Sequence, residues 1–248
     1  MCYPMRRILL GDLLKNKNTQ KNILITLCVC VFFFSCVKSE CPFPEKKQSS
    51  ITALNKVNNV KLIVIDGGRL TEDAFISIYY PNINYGLDFK NYCTAWTYSG
   101  VPAEGFFLLK FKFEDLVTNQ KIISARLTLF ADTSNVFSGS PMPDRSHYGV
   151  NLDLVIKNMN SSWDESLITF NNKPSTSNLN VMRIGAPLSL TSSCVDIDVT
   201  KLVQSQKETG NFGFEIRLEN PVIYKRVAFY SKDSPNASFR PKLEIVYQ

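Results

Sequence analysis

Histidine is almost absent from this chain of 248 residues, and His147 is the single copy. Any Ser-His-Asp or Cys-His device has only that one base to draw on, and it sits in a stretch rich in Pro, Ser and Gly. No Cys-x-x-Cys pair occurs, so a Cys/His zinc site lacks its donors. Long runs of one charge are missing as well. The formal charge is +6, but Arg6, Arg7, Lys15, Lys17 and Lys21 crowd the start, and Lys38, Lys46, Lys47, Lys56 and Lys61 follow. The remainder is nearer neutrality, without the basic stripe or motif that a phosphate backbone requires, so nucleic acid is excluded as a partner. No sustained helical period appears outside Thr200–Lys207, and without crossover helices a parallel α/β sheet is excluded.

What the chain does have begins with a short apolar run, Ile23–Phe34, preceded by Lys15, Lys17 and Lys21 and closed by Ser35-Cys36. The run falls short of the ~20 residues that a membrane helix needs and has the length of a signal-peptide core. Phe33-Phe34-Ser35-Cys36 resembles a bacterial lipobox, with Phe33 where Leu is usual. The expectation is therefore a signal peptide over 1–35, lipid on Cys36, a polar tether over 36–58 and a domain over 59–248, on an exported protein anchored at an outer membrane or cell surface, or secreted. Met5-Arg6-Arg7 makes the leading segment long, which leaves the start methionine open. The tether contains Pro, Lys, Glu and Ser and cannot bury a core. Removing it leaves roughly 200 residues, enough for one β-sandwich. Export would remove Cys2, Cys28 and Cys30, leaving Cys41 in the tether and Cys93 and Cys194 in the domain. An oxidising compartment permits a Cys93–Cys194 disulfide, with buried free thiols as the alternative.

From Asp73 onward the hydrophobic period is two. Phe107, Leu109, Phe111 and Phe113 alternate with Lys110 and Lys112; Ala125, Leu127 and Leu129 with Arg126 and Thr128; Leu152, Leu154 and Ile156 with Asn151, Asp153 and Lys157. Val195, Ile197 and Val199, then Phe212 to Leu218, then Leu243, Ile245 and Tyr247 repeat the pattern, and Val60–Ile65 offers an edge strand. Half-buried strands joined by loops of Ser, Asn, Gly and Pro predict an all-β, antiparallel two-sheet sandwich.

The order of motifs resembles the DNRLRE domain family, also classed as carbohydrate-binding module family 96. Asp73-Ala74-Phe75-Ile76 is followed by Pro81-Asn82-Ile83-Asn84-Tyr85-Gly86, like the family's P-x-x-N-Y-G turn; Phe107-Leu108-Leu109-Lys110-Phe111 is similar to its L-L-K-F strand; and Ile123 to Leu129 is like its I-x-S-A-x-L-x-L strand. Ser161-Ser162-Trp163-Asp164-Glu165-Ser166 through Thr169-Phe170-Asn171-Asn172-Lys173-Pro174 matches W-x-E-x-x-x-T-W-N-x-x-P, with Phe170 for the second Trp. Asp198-Val199-Thr200, Phe212-Gly213-Phe214, Phe229 to Asp233 and Pro241-Lys242-Leu243 complete the series. Gln206 departs from a common Trp, and the loop 132–149 is long. The resemblance implies a β-jelly-roll that binds polysaccharide, acidic in some members, without catalysis.

Within that frame Tyr92, Trp96 and Tyr98 alternate along one strand face, a spacing that suits a sugar platform or a core face. Tyr79, Tyr80 and Tyr85 flank the neighbouring loop. Lys110, Lys112, Arg126, Arg217, Lys225 and Arg226 lie on outward faces or turns, where they could pair with an acidic polymer or simply be solvated. Trp163 precedes a strand and reads as a packing corner. Asp73 and Asp233, with Asp164 and Glu165, supply hard oxygens of the kind that a structural Ca²⁺ takes, while Glu165 could equally cap backbone N–H groups. Two rival functions remain: a structural or adhesive surface module with protein partners, marked by a flat apolar patch, and a polysaccharide lyase, marked by a deep cleft holding Tyr, His and Arg.

Overall fold

A computed structural model describes residues 60–113, 117, 119–132, 147–149, 151–184 and 194–248. The expected export segment, the tether and Cys36 lie outside the described residues.

Twelve strands and one α-helix are formed there, with two single-turn 3-10 helices at Gly68–Leu70 and Ala237–Phe239: β1 Lys61–Ile65, β2 Thr71–Ser77, β3 Lys90–Tyr98, β4 Val101–Phe111, β5 Ile122–Phe130, β6 His147–Tyr148, β7 Leu154–Asn158, β8 Met182–Ile184, β9 Cys194–Asp198, α1 Thr200–Thr209, β10 Phe214–Leu218, β11 Lys225–Tyr230 and β12 Lys242–Tyr247. Four strands make one sheet in the order β1-β12-β5-β9, and eight make the other along β6-β11-β3-β4-β10-β7-β8, with β2 also on β4. The neighbours pair antiparallel throughout. This is the all-β sandwich that the period-two pattern predicts, with β1 at an edge and α1 on the only stretch of helical period.

The larger sheet forks at β4. Gly105 pairs with Thr94 of β3 and with Ser77 of β2, so those strands occupy opposite edges of β4. β2 also runs the length of Phe107–Leu109, which pairs with β10. β3 and β10 therefore share one edge in succession, and β3 leaves the sheet at Thr94. The β3–β4 hairpin turns on Ser99 (φ 49°) and Gly100 (φ 80°), two left-handed residues as a tight twisted hairpin requires.

The main core lies between the sheets, where Phe107, Leu109, Phe111, Leu127, Leu129, Ile156, Ile216, Val227, Phe229, Leu243 and Ile245 are all buried, and α1 adds Leu202 and Val203. Alternation along β4 predicts a wet second face, but Phe106 and Leu108 are buried as deeply as Phe107 and Leu109. They pack with Ala74, Ile76, Met159, Trp163 and Ile168 in a second cluster on the outside of β4. Lys110 and Lys112 escape at the end of that strand onto Glu72 of the neighbouring strand.

The family-like motifs form the interlock that holds this second cluster shut. Asn84 Nδ2 donates to the carbonyls of Glu165 (2.8 Å) and Ile168 (2.7 Å), and its Oδ1 accepts the Gly86 N–H. Gly86 is required because a methyl there would overlap the Glu165 carbonyl. Trp163 is 8% exposed, and its indole N–H donates to the Phe212 carbonyl at 2.8 Å. Gln206 is buried too, and its Nε2 donates to Asn158 Oδ1 and the Gly213 carbonyl.

The Cys93–Cys194 disulfide is not formed. Cys93 is a free, buried thiol inside the larger sheet, opposite Val227, with Sγ donating to the Ile216 carbonyl at 3.3 Å. Cys194 opens β9 at the edge of the other sheet, opposite Phe130, and is disulfide-bonded elsewhere. Burial pushes the Cys93 thiol well above its ordinary pKa, so it packs as a small hydrophobe.

Candidate functional site

Register and alternation gather the aromatic side chains of β3 onto one face. Arg226 of β11 lies opposite Thr94 on one side and Tyr148 of β6 on the other, which sets Thr94, Arg226 and Tyr148 on the same face. The period of two then adds Tyr92, Trp96 and Tyr98, the three that the sequence singles out.

Their neighbours come from other segments. Trp96 is flanked by Tyr148 and Tyr224, each edge-on with ring centroids 5.2 Å away. Tyr98 stacks on Tyr79 at 4.5 Å, and Tyr80 meets both edge-on. Phe75 of β2 touches Tyr85 and Tyr92 at 5.4 Å, and the Arg226 guanidinium lies 4.3 Å from the centre of the Tyr92 ring. Three ring groups thus line β3 from Tyr92 to Tyr98, a span of about 20 Å at ~3.3 Å per residue. The surface is open: Tyr80, Tyr98 and Tyr224 are 43%, 39% and 48% exposed, and Trp96, Tyr79, Tyr85, Tyr92 and Tyr148 are half-buried.

Two backbone features aim these rings. Tyr224 has φ 69°, a left-handed conformation that is costly for a bulky residue, and it holds the ring against Trp96 where the chain enters β11. Gly105 leaves room for Phe75: a Cβ there would lie 2.5 Å from Phe75 Cζ and 2.9 Å from Thr94 Cγ2. Beside this face, Ile78, Ala95, Pro102, Ala103, Glu104, Pro221 and Ile223 line a small cavity of about 160 Å³.

Tyr148, Tyr224 and Phe75 were not singled out in the sequence. Tyr148 follows the long loop whose return path no local pattern reveals. Tyr224 stands two residues before Arg226, and that alternation is the one signal that could have placed it.

The basic residues are distributed differently. Arg126 is on the four-stranded sheet in a forked pair with Asp196 at 2.6–3.2 Å. Lys110 and Lys112 end on Glu72, and Arg217 on Glu104 and Glu215. The structure does not bring Lys110, Lys112 or Arg126 to the aromatic face.

Of the acidic residues, Asp73, Glu165 and Asp233 converge with carboxylate oxygens within 4.8 Å of one another. Asp164 instead turns outward to cap Ser166. Three hard oxygens suit calcium, which takes six to eight. Here the Lys232 ammonium already lies 3.2 Å from Glu165 and 2.9 Å from Asp233. Asp73 Oδ2 accepts the Lys232 backbone N–H, and Glu165 Oε1 accepts the Asp73 N–H, so Glu165 does cap a backbone donor, on a strand edge and not at a helix start. Burial raises the Asp73 carboxyl to about 7.

His147 is buried, with Nε2 3.3 Å from the Ala228 carbonyl, and burial lowers its pKa.

No curated protein matches the chain. A comparison with known families matches carbohydrate-binding module family 96 over residues 68–247, which takes in every strand from β2 to β12 and each element of the interlock. The chain therefore belongs to carbohydrate-binding module family 96.

Proposed function

We propose that this protein is a non-catalytic module that holds a polysaccharide on the aromatic face of β3, β6 and β11, carried on an exported lipoprotein anchored through Cys36. The observation that carries the site is the convergence of Trp96, Tyr148, Tyr224, Tyr98, Tyr79, Tyr80, Tyr85 and Tyr92 on one open surface. Flat rings with polar rims offer sugars an apolar face and hydroxyl partners together. A span of about 20 Å suits a chain of several sugar rings better than a single one. The absence of catalysis is supported by His147, whose imidazole is buried against a carbonyl instead of facing a cleft. The lipid anchor rests on the sequence around Cys36 alone. A structural Ca²⁺ at Asp73, Glu165 and Asp233 would have to displace or accommodate Lys232, so we assign the charge balance there to the lysine.

Affinity electrophoresis through gels containing polysaccharide tests the site. Trp96→Ala should weaken retention at least tenfold, about 1.4 kcal/mol, while Lys110→Ala and Arg126→Ala leave it unchanged. Equal retention of all three variants would remove the face from the account.

A second reading, contact with a protein partner, is favoured by one observation: Val101 at the start of β4 and Val222 and Ile223 on the β10–β11 connection are 56%, 62% and 41% exposed beside the same face. Substituting them with Ser should leave glycan retention intact; if it abolishes capture by a protein partner instead, that reading gains.

A further inference from the structure

We infer that His147 makes the aromatic face acid-sensitive: protonation of this one histidine unseats β6, draws Tyr148 away from Trp96 and releases the ligand. The inference rests on the reading that the face holds polysaccharide. Its ground is the place of a buried base that the binding face does not otherwise use. β6 is a two-residue edge strand paired with β11 alone, His147 opposite Val227 and Tyr148 opposite Arg226. Successive side chains of a strand point to opposite sides. Tyr148 stands edge-on to Trp96 at 5.2 Å, while His147 is 1% exposed. A disturbance at His147 therefore reaches a ring that flanks Trp96.

Nε2 of His147 lies 3.3 Å from the Ala228 carbonyl, which also accepts the Asp132 N–H. A carbonyl only accepts, so the neutral imidazole carries its proton on Nε2 and leaves Nδ1 bare. Nδ1 is buried with no hydrogen-bond partner among the described residues. Protonation puts a second N–H there with nothing to receive it, and a charge with it, a cost that β6 escapes by opening. The neighbouring charges do not cancel that cost. Asp132, just beyond β5, favours the imidazolium but is already paired with Lys90 and accepts the Tyr230 hydroxyl. On β11, Arg226 is a cation and packs on Tyr92. Burial outweighs the Asp132 charge and holds the imidazole below its ordinary 6.5, the value to which an opened β6 returns it. Closed β6 is thus fully favoured above about pH 6.5 and loses ground as pH falls from there through the lowered value. A two-residue edge strand opens at small cost. The raised Asp73 carboxyl stabilises the fold toward acid, the opposite sign, so the test follows His147 itself.

As the chain's single histidine, His147 gives one imidazole Hε1 resonance, to be followed by NMR on the full chain between about pH 4.5 and about pH 8. Alongside, wild type and His147→Gln would be run through gels containing alginate or a soluble xylan at about pH 7.5 and about pH 5. Gln keeps an N–H for the Ala228 carbonyl and takes no proton. The expected result is a resonance that titrates below 6.5, wild-type retention at least about threefold weaker at the lower pH, and equal retention of His147→Gln at both. A resonance that titrates at 6.5 or above, retention that does not change with pH, or a pH response that His147→Gln shares overturns the inference and leaves the face in place. Retention by neither polymer at either pH overturns the face, and the release with it.

Discussion

Asp73 is 1% exposed, and among the groups around it two are acids, Glu165 and Asp233, and one is the Lys232 ammonium. Loss of solvation outweighs the backbone hydrogen bond from Lys232, and the carboxyl rises from 3.8 to about 7. In the unfolded chain it returns toward its ordinary value. Between those two pH values the unfolded state gives up its proton while the folded state keeps it, so stability falls as pH rises from about 4 to about 7 and stays at the lower level above. The size is on the order of a few kcal/mol at most. Asn at this position keeps an oxygen for the Lys232 N–H and cannot ionise. Asp73→Asn should therefore melt at the same temperature as the wild type near pH 4 and at a higher one near pH 8. A difference that is constant across pH, or a variant less stable at pH 8, contradicts the raised carboxyl. Residue types were legible in the sequence here, and partners were not. Asp73 and Asp233 stand apart by 160 positions, and only the docking of the closing segment on β2 shows that a lysine joins them. The two tryptophans show the same limit: alternation with Tyr92 and Tyr98 marked Trp96, yet the same pattern fits a core strand, and exposure decides between them.

Elements explain what the most recognisable motifs do: apart from Tyr85, whose ring meets Phe75 beside the aromatic face, they build the fold. The turn Pro81–Gly86 and the segment Trp163–Asn171 clasp one another, with Asn171 N–H donating to the Pro81 carbonyl at 3.1 Å and Asn171 Nδ2 to Asn82 Oδ1 at 2.7 Å. Their chemistry is spent on closing the second core over Phe106 and Leu108. Asn84→Ala strips two carbonyls and one N–H of their partner, which should cost about 2 kcal/mol and lower the melting temperature by about 5 °C for a domain of this size. At temperatures where the variant is folded, glycan affinity should match the wild type. An affinity loss without a loss of stability would move Asn84 into the binding site. Strand identities were readable from period two because one buried face dictates it. The covered outer face of β4 was not, since Phe106 and Leu108 look solvent-facing until Trp163 and Ile168, more than fifty residues away in sequence, are seen to cover them. The Cys93–Cys194 pairing failed for a related reason: redox compartment permits a disulfide, but sheet order decides which cysteines meet.

The whole molecule makes its surface by forking one sheet. Because β3 and β10 take the same edge of β4 in turn, β3 swings out with β11 and β6, and rings from β2, β6, the β10–β11 connection and the loop after β2 close around it. The chain's two tryptophans offer a direct reading of that surface, since Trp163 is buried in the second core and Trp96 stands on the open face. Removing the buried indole costs its hydrogen bond to Phe212, about 1 kcal/mol, and leaves Trp96 as the only tryptophan. The decisive measurement is the fluorescence of the Trp163→Phe protein during titration with a polysaccharide that the wild type retains. A saturable change in Trp96 emission, with protection from acrylamide, is what a ring-stacking face predicts; retention with unchanged Trp96 emission and quenching would place the sugar elsewhere.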